Sequence, residues 1–264
     1  MRVEGKVIVV TGGGSGIGRQ LVLELLRRKA RVAAVDIDEA GLTGTAALAT
    51  AGDSLATFVV DVADRVAVER LADSTATRFG CVDGIINCAG IIQPFVRLQD
   101  LEYQTIDRVL AVNLSGTVFM TKTFLPRLLE RPEGHIVNVG SMGGFVPFPG
   151  QSMYGASKAA VKLLTEALHS ELAETRVRVT LVLPGAVATN IKKNSGLEVS
   201  SAGAEKGRAY PADKAAREVV DGIERNRYRV LVGRDAKLLD VLCRLDPRRA
   251  AALIQRAMKR HVPK

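Results

Sequence analysis

The sequence predicts an α/β protein built on one doubly wound parallel sheet. Short apolar runs rich in valine and isoleucine alternate with longer segments of helical periodicity, and a glycine-rich turn joins the first run to the first helical segment. Strands that helices cover on both faces are apolar throughout, so these runs are typical of a parallel sheet. Their alternation with helices long enough to cross the sheet predicts a doubly wound fold.

Six strands, with crossover helices between them, follow from this pattern. The strands are predicted at residues 7–10, 32–35, 56–60, 85–87, 136–139 and 177–183. The helices are predicted at residues 17–29, 65–79, 106–129 and 156–174. No internal repeat, low-complexity tract or proline-rich linker divides the chain, which favours a single domain.

The composition is that of an ordinary globular protein, with 47% hydrophobic and 25% charged residues in a chain of 264. The three cysteines, Cys81, Cys88 and Cys243, are too widely spaced for a zinc site, and the histidines are scattered. We therefore expect no metal ion and a reduced, cytoplasmic setting. Neither an apolar run of about 18 residues nor a signal-peptide pattern is present, so we expect no membrane span and no export.

The net charge of +9 is concentrated at the carboxyl terminus. Residues 225–264 hold 12 of the 37 lysines and arginines but 3 of the 28 acidic residues, which leaves 25 of each sign in residues 1–224. The basic tail has little aromatic interleaving and no nucleic-acid-binding motif. The distribution therefore argues against nucleic acid as a partner.

A glycine-rich turn, residues 11–18, follows the first predicted strand and opens the first predicted helix. Its glycines let the backbone turn tightly and approach a pyrophosphate, although an ordinary strand-to-helix turn also favours glycine. Asp36 ends the next strand, 18 residues after Gly18, where a carboxylate can bind the adenosine ribose and repel a 2'-phosphate. Ser15 adds no positive charge to the turn, so the pattern predicts NAD rather than NADP.

Tyr154 and Lys158 lie four residues apart in a segment of helical periodicity and therefore share one face. A tyrosine has a pKa of about 10 and is a poor base at neutral pH, but a neighbouring ammonium stabilises the phenolate and lowers that pKa. Taken alone, such a pair is more often a solvated helix face than a catalytic site.

Further motifs make the chain resemble the short-chain dehydrogenase/reductase family over nearly its whole length. The family's T-G-x-x-x-G-x-G turn matches Thr11 to Gly18, its N-N-A-G strand end matches Asn87 to Gly90, its helix asparagine matches Asn113, its serine matches Ser141, its Y-x-x-x-K pair matches Tyr154 and Lys158, and its P-G-x-V-x-T motif matches Pro184 to Thr189. Cys88 departs from this pattern by replacing the second asparagine, and we expect this small residue to be tolerated.

The resemblance implies a Rossmann-fold domain that transfers a hydride between NAD(H) and a secondary alcohol or ketone. It implies Tyr154 as acid and base, Ser141 as hydrogen-bond donor to the substrate oxygen, and Lys158 as ribose ligand and activator of Tyr154. Asn113 would hold a water for proton relay. The implied cofactor contacts are Gly12, Ser15, Gly16, Ile17, Gly18, Asp36, Ile37, Asp61, Val62, Asn87, Ala89, Gly90, Tyr154, Lys158, Pro184, Gly185, Val187 and Thr189.

The resemblance also implies a homodimer or homotetramer, with the helices that contain Asn113 and Tyr154 at the interface. The alternative function is an NAD(H)-binding regulatory protein without turnover. Intact Ser141, Tyr154 and Lys158 argue against that alternative, because a sensor needs the cofactor site but not the proton machinery.

The substrate is predicted to bind beyond the carboxyl ends of the strands. Two segments are expected there: residues 142–149, which are apolar and uncharged, and an irregular loop at about 190–210. A loop of that length is usually functional, the alternative being a plain surface loop. The predicted substrate contacts are Ser141, Gly143, Phe145, Phe148 and Tyr154, and a lipophilic alcohol, steroid or retinoid-like ketone would suit them. Phe145 and Phe148 fit a packed core equally well.

Residues 234–264 are predicted as a basic, amphipathic helical extension of a catalytic domain at 1–233. A helix start at Asp246 and Pro247 precedes apolar residues at helical spacing, namely Ala250, Leu253, Ile254, Ala257 and Met258, beside the basic Arg248, Arg249, Arg256, Lys259 and Arg260. The pattern favours a helix docked on its own domain. The alternative is peripheral contact with an anionic membrane surface.

Overall fold

Seven parallel strands form one sheet in the order β3-β2-β1-β4-β5-β6-β7 in this computed structural model, which describes residues 1–189, 191–197 and 209–258. The strands are β1 Val7–Thr11, β2 Arg31–Asp36, β3 Leu55–Val59, β4 Gly84–Asn87, β5 Gly134–Val139, β6 Val177–Pro184 and β7 Arg229–Val232. The predicted doubly wound fold is confirmed. Residues 190, 198–208 and 259–264, which include parts of the predicted substrate loop and of the predicted tail helix, lie outside the described residues.

Helices cover both faces of the sheet. They are α1 Gly16–Arg27, α2 Glu39–Ala49, α3 Arg65–Phe79, α4 Tyr103–Leu110, α5 Gly116–Leu129, α6 Ser152–Glu171, α7 Ile191–Asn194, α8 Ala212–Glu224, α9 Arg234–Leu245 and α10 Pro247–Met258. Among the described residues, none of the helices is long and apolar enough to cross a membrane.

Alternate residues of each strand enter one of two cores, as the two-residue period of a strand requires. Ile8 and Val10 of β1 pack in the core that α1 and α8 cover. Val7 and Val9 of the same strand pack in the opposite core, beneath α3, α5 and α6. The inner strands are therefore buried on both faces, which is why their sequences are almost continuously apolar.

Two elements differ from the sequence prediction. The helix expected at 106–129 begins at Tyr103 and is interrupted by a π-helical turn at Ala111–Ser115, so that it forms α4 and α5. Strand β7, at the edge of the sheet, was not expected. Its four residues alternate between half-buried and buried side chains, and a run this short carries little periodic signal.

Helix α10 begins at Pro247, where the Asp246 carboxylate accepts a hydrogen bond of 3.0 Å from the amide of Arg249. Ala250 and Ile254 are buried, and Ile254 packs with Leu239 of α9. This face of α10 is thus docked on its own chain. Two other members of the predicted apolar stripe, Leu253 and Ala257, are exposed.

The strand order reverses direction between β1 and β4. From β1 the chain builds outwards to β2 and β3, and it then returns to place β4 on the other side of β1. Connections on the two sides leave in opposite directions at this switch point, which opens a crevice at the carboxyl ends of the two strands.

Candidate active site

A cleft of about 450 Å³ lies in this crevice. The glycine-rich turn, the ends of β2, β4, β5 and β6, and helix α6 contribute to its walls. All of the predicted cofactor contacts except Asn87 line the cleft, and so do Ser141 and Tyr154. The structure therefore brings together residues from most of the length of the chain.

Close backbone contacts require glycine at two positions of the turn. Gly12 has a φ of 73°, in the left-handed region. A Cβ atom at Gly18 would lie 2.0 Å from the carbonyl oxygen of Gly12. The chain therefore folds tightly and presents the first turn of α1 to the cleft, where free backbone N–H groups can bind a pyrophosphate.

The carboxylate of Asp36 is held by two backbone amides. The amide of Gly14 donates to Oδ2 at 2.8 Å, and the amide of Asp38 donates to Oδ1 at 3.0 Å. Each carboxylate oxygen has two lone pairs, so acceptor capacity remains for a pair of ribose hydroxyls. Arg19 donates to the carbonyl oxygens of Gly14 and Gly41 and so ties the glycine turn to α2.

The residues predicted for proton transfer meet at one wall of the cleft. Ser141 follows β5, and its hydroxyl lies beside the phenol of Tyr154 from α6. One turn further along α6, the Lys158 ammonium donates to the carbonyl oxygen of Val139 at 2.9 Å. A Cβ atom at Gly90 would lie 3.2 Å from Lys158 Nζ, so the small residue at the end of β4 makes room for the ammonium.

Burial governs the protonation of this group. It raises the pKa of the Tyr154 phenol, while the neighbouring Ser141 hydroxyl opposes the rise. It lowers the pKa of the Lys158 ammonium to about 8. Burial is thus the largest influence on the phenol, and the Lys158 ammonium is bonded to the carbonyl oxygen of Val139. A phenol with a raised pKa is a proton donor at neutral pH.

The two asparagines lie behind the cleft. Asn113 is buried in the π-helical turn, where its carboxamide bonds to both backbone groups of Ile91 at 2.8 and 2.9 Å and donates to Ser157 at 3.0 Å. Asn87 donates to Asn138 at 2.8 Å and to Thr121 at 3.2 Å. The side chain of Asn113 is thus committed to holding the segment after β4, and a water would have to use other groups.

Cys88 lines the cleft as a neutral, small side chain. Burial raises the pKa of its thiol to about 12, with the charge of Lys158 opposing the rise. The backbone around it is secured by Thr11, whose hydroxyl accepts from the amides of Cys88 and Ala89 at 3.0 and 3.1 Å. The contact between the ends of β1 and β4 is therefore made by the Thr11 hydroxyl and two backbone amides and does not use the side chain at position 88, which explains how cysteine fits where the family pattern has asparagine.

The apolar segment after Ser141 packs mainly against the carboxyl-terminal helices. Phe145 and Phe148 contact a cluster formed by Val146, Leu239 and Ile254, and neither phenylalanine lines the cleft. Gly143 does not line it either, but a Cβ atom there would lie 3.3 Å from both Ser141 Oγ and the Tyr154 ring. Of the predicted substrate contacts, Ser141 and Tyr154 therefore lie in the cleft itself.

Several lining residues were missed by the sequence reasoning, chiefly Arg108 of α4, Ile92, Ile191 and Asn194. Asn194 of α7 donates to the hydroxyl of Ser15 at 2.6 Å, so α7 reaches the glycine turn. The neighbouring Ser195 accepts from the amide of Ile92 at 2.9 Å. These contacts join parts of the chain about a hundred residues or more apart, and no local motif could have marked them.

Comparisons with known proteins agree with this geometry. The family model for short chain dehydrogenases matches residues 6–200. SadH of Mycobacterium tuberculosis, named as an oxidoreductase, is 40% identical over 252 residues, which cover 92% of this chain and 91% of that protein.

Two solved structures have the same fold. A short-chain dehydrogenase/reductase from Burkholderia phymatum in complex with NAD matches with a TM-score of 0.83 at 26% identity, over 93% of this chain and 96% of that one. A short-chain dehydrogenase from Burkholderia cenocepacia in complex with NADP matches with a TM-score of 0.81 at 27% identity, over 96% and 99% of the two chains.

The fold and the cleft define a dinucleotide-binding oxidoreductase. The chain belongs to the short-chain dehydrogenase/reductase family.

Proposed function

We propose that this protein transfers a hydride between NAD(H) and a secondary alcohol, or its ketone, that carries an apolar group. The observation that carries the proposal is that Ser141, Tyr154 and Lys158 line a cleft that Asp36 also lines. Ser141 and Tyr154 can move a proton to or from a substrate oxygen, and Asp36 can hold the ribose of a dinucleotide.

The nicotinamide supplies or accepts the hydride when it is bound, and the residues of the chain handle the proton. In ketone reduction, the neutral phenol of Tyr154 gives its proton to the substrate oxygen. The Ser141 hydroxyl stabilises the negative charge that develops there. Lys158 places a positive charge in the same buried wall, where it favours the phenolate that remains after transfer.

The preference for NAD rests on Asp36. Its carboxylate is fixed by two backbone amides. The 2'-phosphate of a bound NADP would therefore face a negative charge that cannot turn away. Among the described residues that line the cleft, Arg108 and Lys158 are the basic ones. Lys158 is committed to Val139, so Arg108 is the residue that would have to reverse the preference.

Apolar lining supports an apolar substrate. Ile91 and Ile92 follow β4, Ile191 lies on α7, and Val187 follows β6, and all four line the cleft. Ser195 of the α7 region bonds to Ile92, so these residues come from segments that are joined to one another. A substrate with an alkyl or ring system beside its hydroxyl would bury that surface against them.

A panel of secondary alcohols with increasing apolar size, assayed with NAD and with NADP, tests the proposal. We expect the rate of NADH formation to rise with the apolar size of the alcohol. The variant Tyr154→Phe should nearly abolish this activity but still bind NADH, as measured by the change in NADH fluorescence on binding. The substitution removes the exchangeable proton but keeps the ring. Turnover of Tyr154→Phe close to the wild-type rate, or cofactor binding without turnover of any alcohol or ketone, would contradict the assignment.

We also propose a homo-oligomer that uses α5 and α6. Leu129 at the end of α5 and Leu163 on α6 are 46% and 67% exposed, and α6 carries Tyr154. Large apolar side chains on these helices would gain from burial against a second copy. Light scattering of the full chain should give a mass of at least two subunits.

A further inference from the structure

The outer face of α9 carries three large apolar side chains in water. Leu238, Val241 and Leu245 follow one another at three- and four-residue spacing, so they share a face, and they are 69%, 54% and 80% exposed. Helix α10 adds Leu253, which is 54% exposed. On the opposite face of α9, Ala236 and Leu239 are buried. One face of α9 therefore packs against its own chain, and a second apolar face is exposed to solvent.

The acidic residues of these two helices are occupied within the chain. Asp235 accepts from the amide of Ala186 at 2.7 Å. Asp240 pairs with Arg229 at 2.6 Å and with Arg244 at 3.2 Å. Asp246 starts α10 and pairs with Arg249 at 3.1 Å. These carboxylates therefore make contacts within the chain that hold the helices in place.

Several basic residues of the same helices form no ion pair with an acidic residue in the described part of the chain. Within the described part of the chain, no ion pair is found for Arg234, Arg248 or Arg256, and Arg248 and Arg256 are exposed. Residues 234–258 together hold six lysines and arginines against three aspartates. The surface formed by α9 and α10, here called the tail surface, is therefore both apolar and cationic.

We propose that the tail surface binds an anionic lipid bilayer from one side, with the leucines in the headgroup region and the arginines on lipid phosphates and carboxylates. An apolar stripe beside basic residues is what a helix lying in a membrane interface requires. None of the described helices can span a bilayer, so the contact is peripheral. The proposal does not depend on the hydride-transfer function.

Charge favours lipid over a second copy of this chain. A two-fold contact through the tail surface would bring the same arginines of two copies together, and like charges across an interface oppose association. An anionic bilayer instead neutralises those charges while it covers the leucines. The phospholipid therefore satisfies both features of the surface at once.

Co-sedimentation of the full chain with vesicles tests the proposal. We expect binding to phosphatidylcholine vesicles that contain phosphatidylserine, weak binding to pure phosphatidylcholine, and loss of binding in high salt, because salt screens the charges. The double variant Leu238→Ser, Leu245→Ser should bind at least about tenfold more weakly, since it removes two apolar side chains from the contact. The double variant Arg248→Gln, Arg256→Gln should lose roughly fivefold for each charge.

Leu48→Ser on α2 is the matched control, because Leu48 is 61% exposed but lies outside the tail surface. It should bind vesicles as the wild type does. NADH titration of every variant reports on folding and on the cofactor site, so a failed dehydrogenase assignment would be visible separately. The proposal is overturned if the full chain does not bind anionic vesicles, or if the leucine variant binds them as well as the wild type. It is also overturned if the leucine variant lowers the mass measured by light scattering without weakening vesicle binding, since the tail surface would then be a contact between subunits.

Discussion

Two backbone hydrogen bonds prevent the Asp36 carboxylate from turning away from a ligand in the cleft. We expect Asp36→Ala to narrow the preference for NAD over NADP by at least about tenfold, since one charge-assisted hydrogen bond contributes about 1.5–3 kcal/mol. Fluorescence titration with NADH and NADPH measures both affinities. Arg108→Ala provides the complementary control and should weaken NADPH binding more than NADH binding. A wild-type protein that already prefers NADPH would refute this account of Asp36.

His135 makes stability depend on pH. Its Nε2 lies 2.9 Å from the hydroxyl of Thr180, which itself donates to the carbonyl oxygen of Arg227, so Nε2 carries the ring proton. Within the described residues, the buried Nδ1 has no hydrogen-bond partner. Burial, reinforced by the positive charges of the amino terminus and Arg178, lowers the pKa of the imidazole to about 3.

An unfolded histidine has a pKa of about 6.5, so the unfolded chain takes up the proton that the folded chain refuses as pH falls from about 6.5 towards 3. Folding stability is therefore lost through that window, by about 2 kcal/mol at about pH 5 for this group. Urea unfolding near pH 7 and near pH 5 measures the loss. His135→Gln should remove this part of the pH dependence, whereas His169→Gln on the exposed face of α6 should retain it.

At the scale of elements, α9 supports two parts of the site from one helix. Asp235 at its first turn accepts from Ala186, in the segment after β6 that lines the cleft. Further along, Leu239 and Cys243 pack with Met142 and Phe145 of the segment after Ser141. The position of α9 therefore bears on both the predicted cofactor loop and the wall beside the reacting group.

We expect Asp235→Ala to raise the KM for NAD by about tenfold with a smaller effect on kcat, because the amide of Ala186 loses its acceptor and the loop loses its position. Asp235→Asn keeps an acceptor oxygen and should restore most of the affinity. Steady-state kinetics with the best alcohol of the panel gives the two constants. Equal damage by Ala and Asn, or a fall in kcat alone, would show that Asp235 does not position this loop through Ala186.

Sequence reasoning succeeded where one residue type has one physical use. Gly18 is required by contact with Gly12, and buried strands are recognised by apolar runs. It failed where the outcome depends on contacts between distant segments. The π-helical turn at Ala111–Ser115 adds a residue to one turn without disturbing the apolar pattern, and Asn194 meets Ser15 across the cleft. The amphipathic pattern of α10 predicted a buried face, but not that α9 would keep an exposed one.

For the molecule as a whole, α10 closes a small core of its own. Removing residues 247–264 would expose the cluster of Val146, Leu239, Phe145 and Phe148 by taking away Ala250 and Ile254. We expect a loss of about 3 kcal/mol, as for deletion of a large buried side chain, and a melting temperature lower by on the order of 10 °C. Differential scanning calorimetry of the chain ending at Asp246 measures this. An unchanged melting temperature would mean that α10 is not part of the folded core.

Binding to anionic vesicles should weaken on this truncation but persist, because Leu238, Val241 and Leu245 remain on α9. A truncated chain that is stable and fails entirely to bind would place the lipid contact on α10 alone. Co-sedimentation at low salt separates these two outcomes.

Two backbone hydrogen bonds join the ends of the segment between Ala188 and Tyr210: the amide of Tyr210 donates to the carbonyl oxygen of Ala186 at 2.7 Å, and its carbonyl oxygen accepts from the amide of Ala188 at 2.9 Å. This pair of hydrogen bonds acts as a clasp at the base of the segment. Doubling the length of a flexible loop costs only about 0.6 kcal/mol once its ends are joined. Insertions or exchanges within residues 198–208 should therefore leave the sheet and the contact of Asn194 with the glycine turn in place, so that a new substrate range can be acquired by grafting one segment.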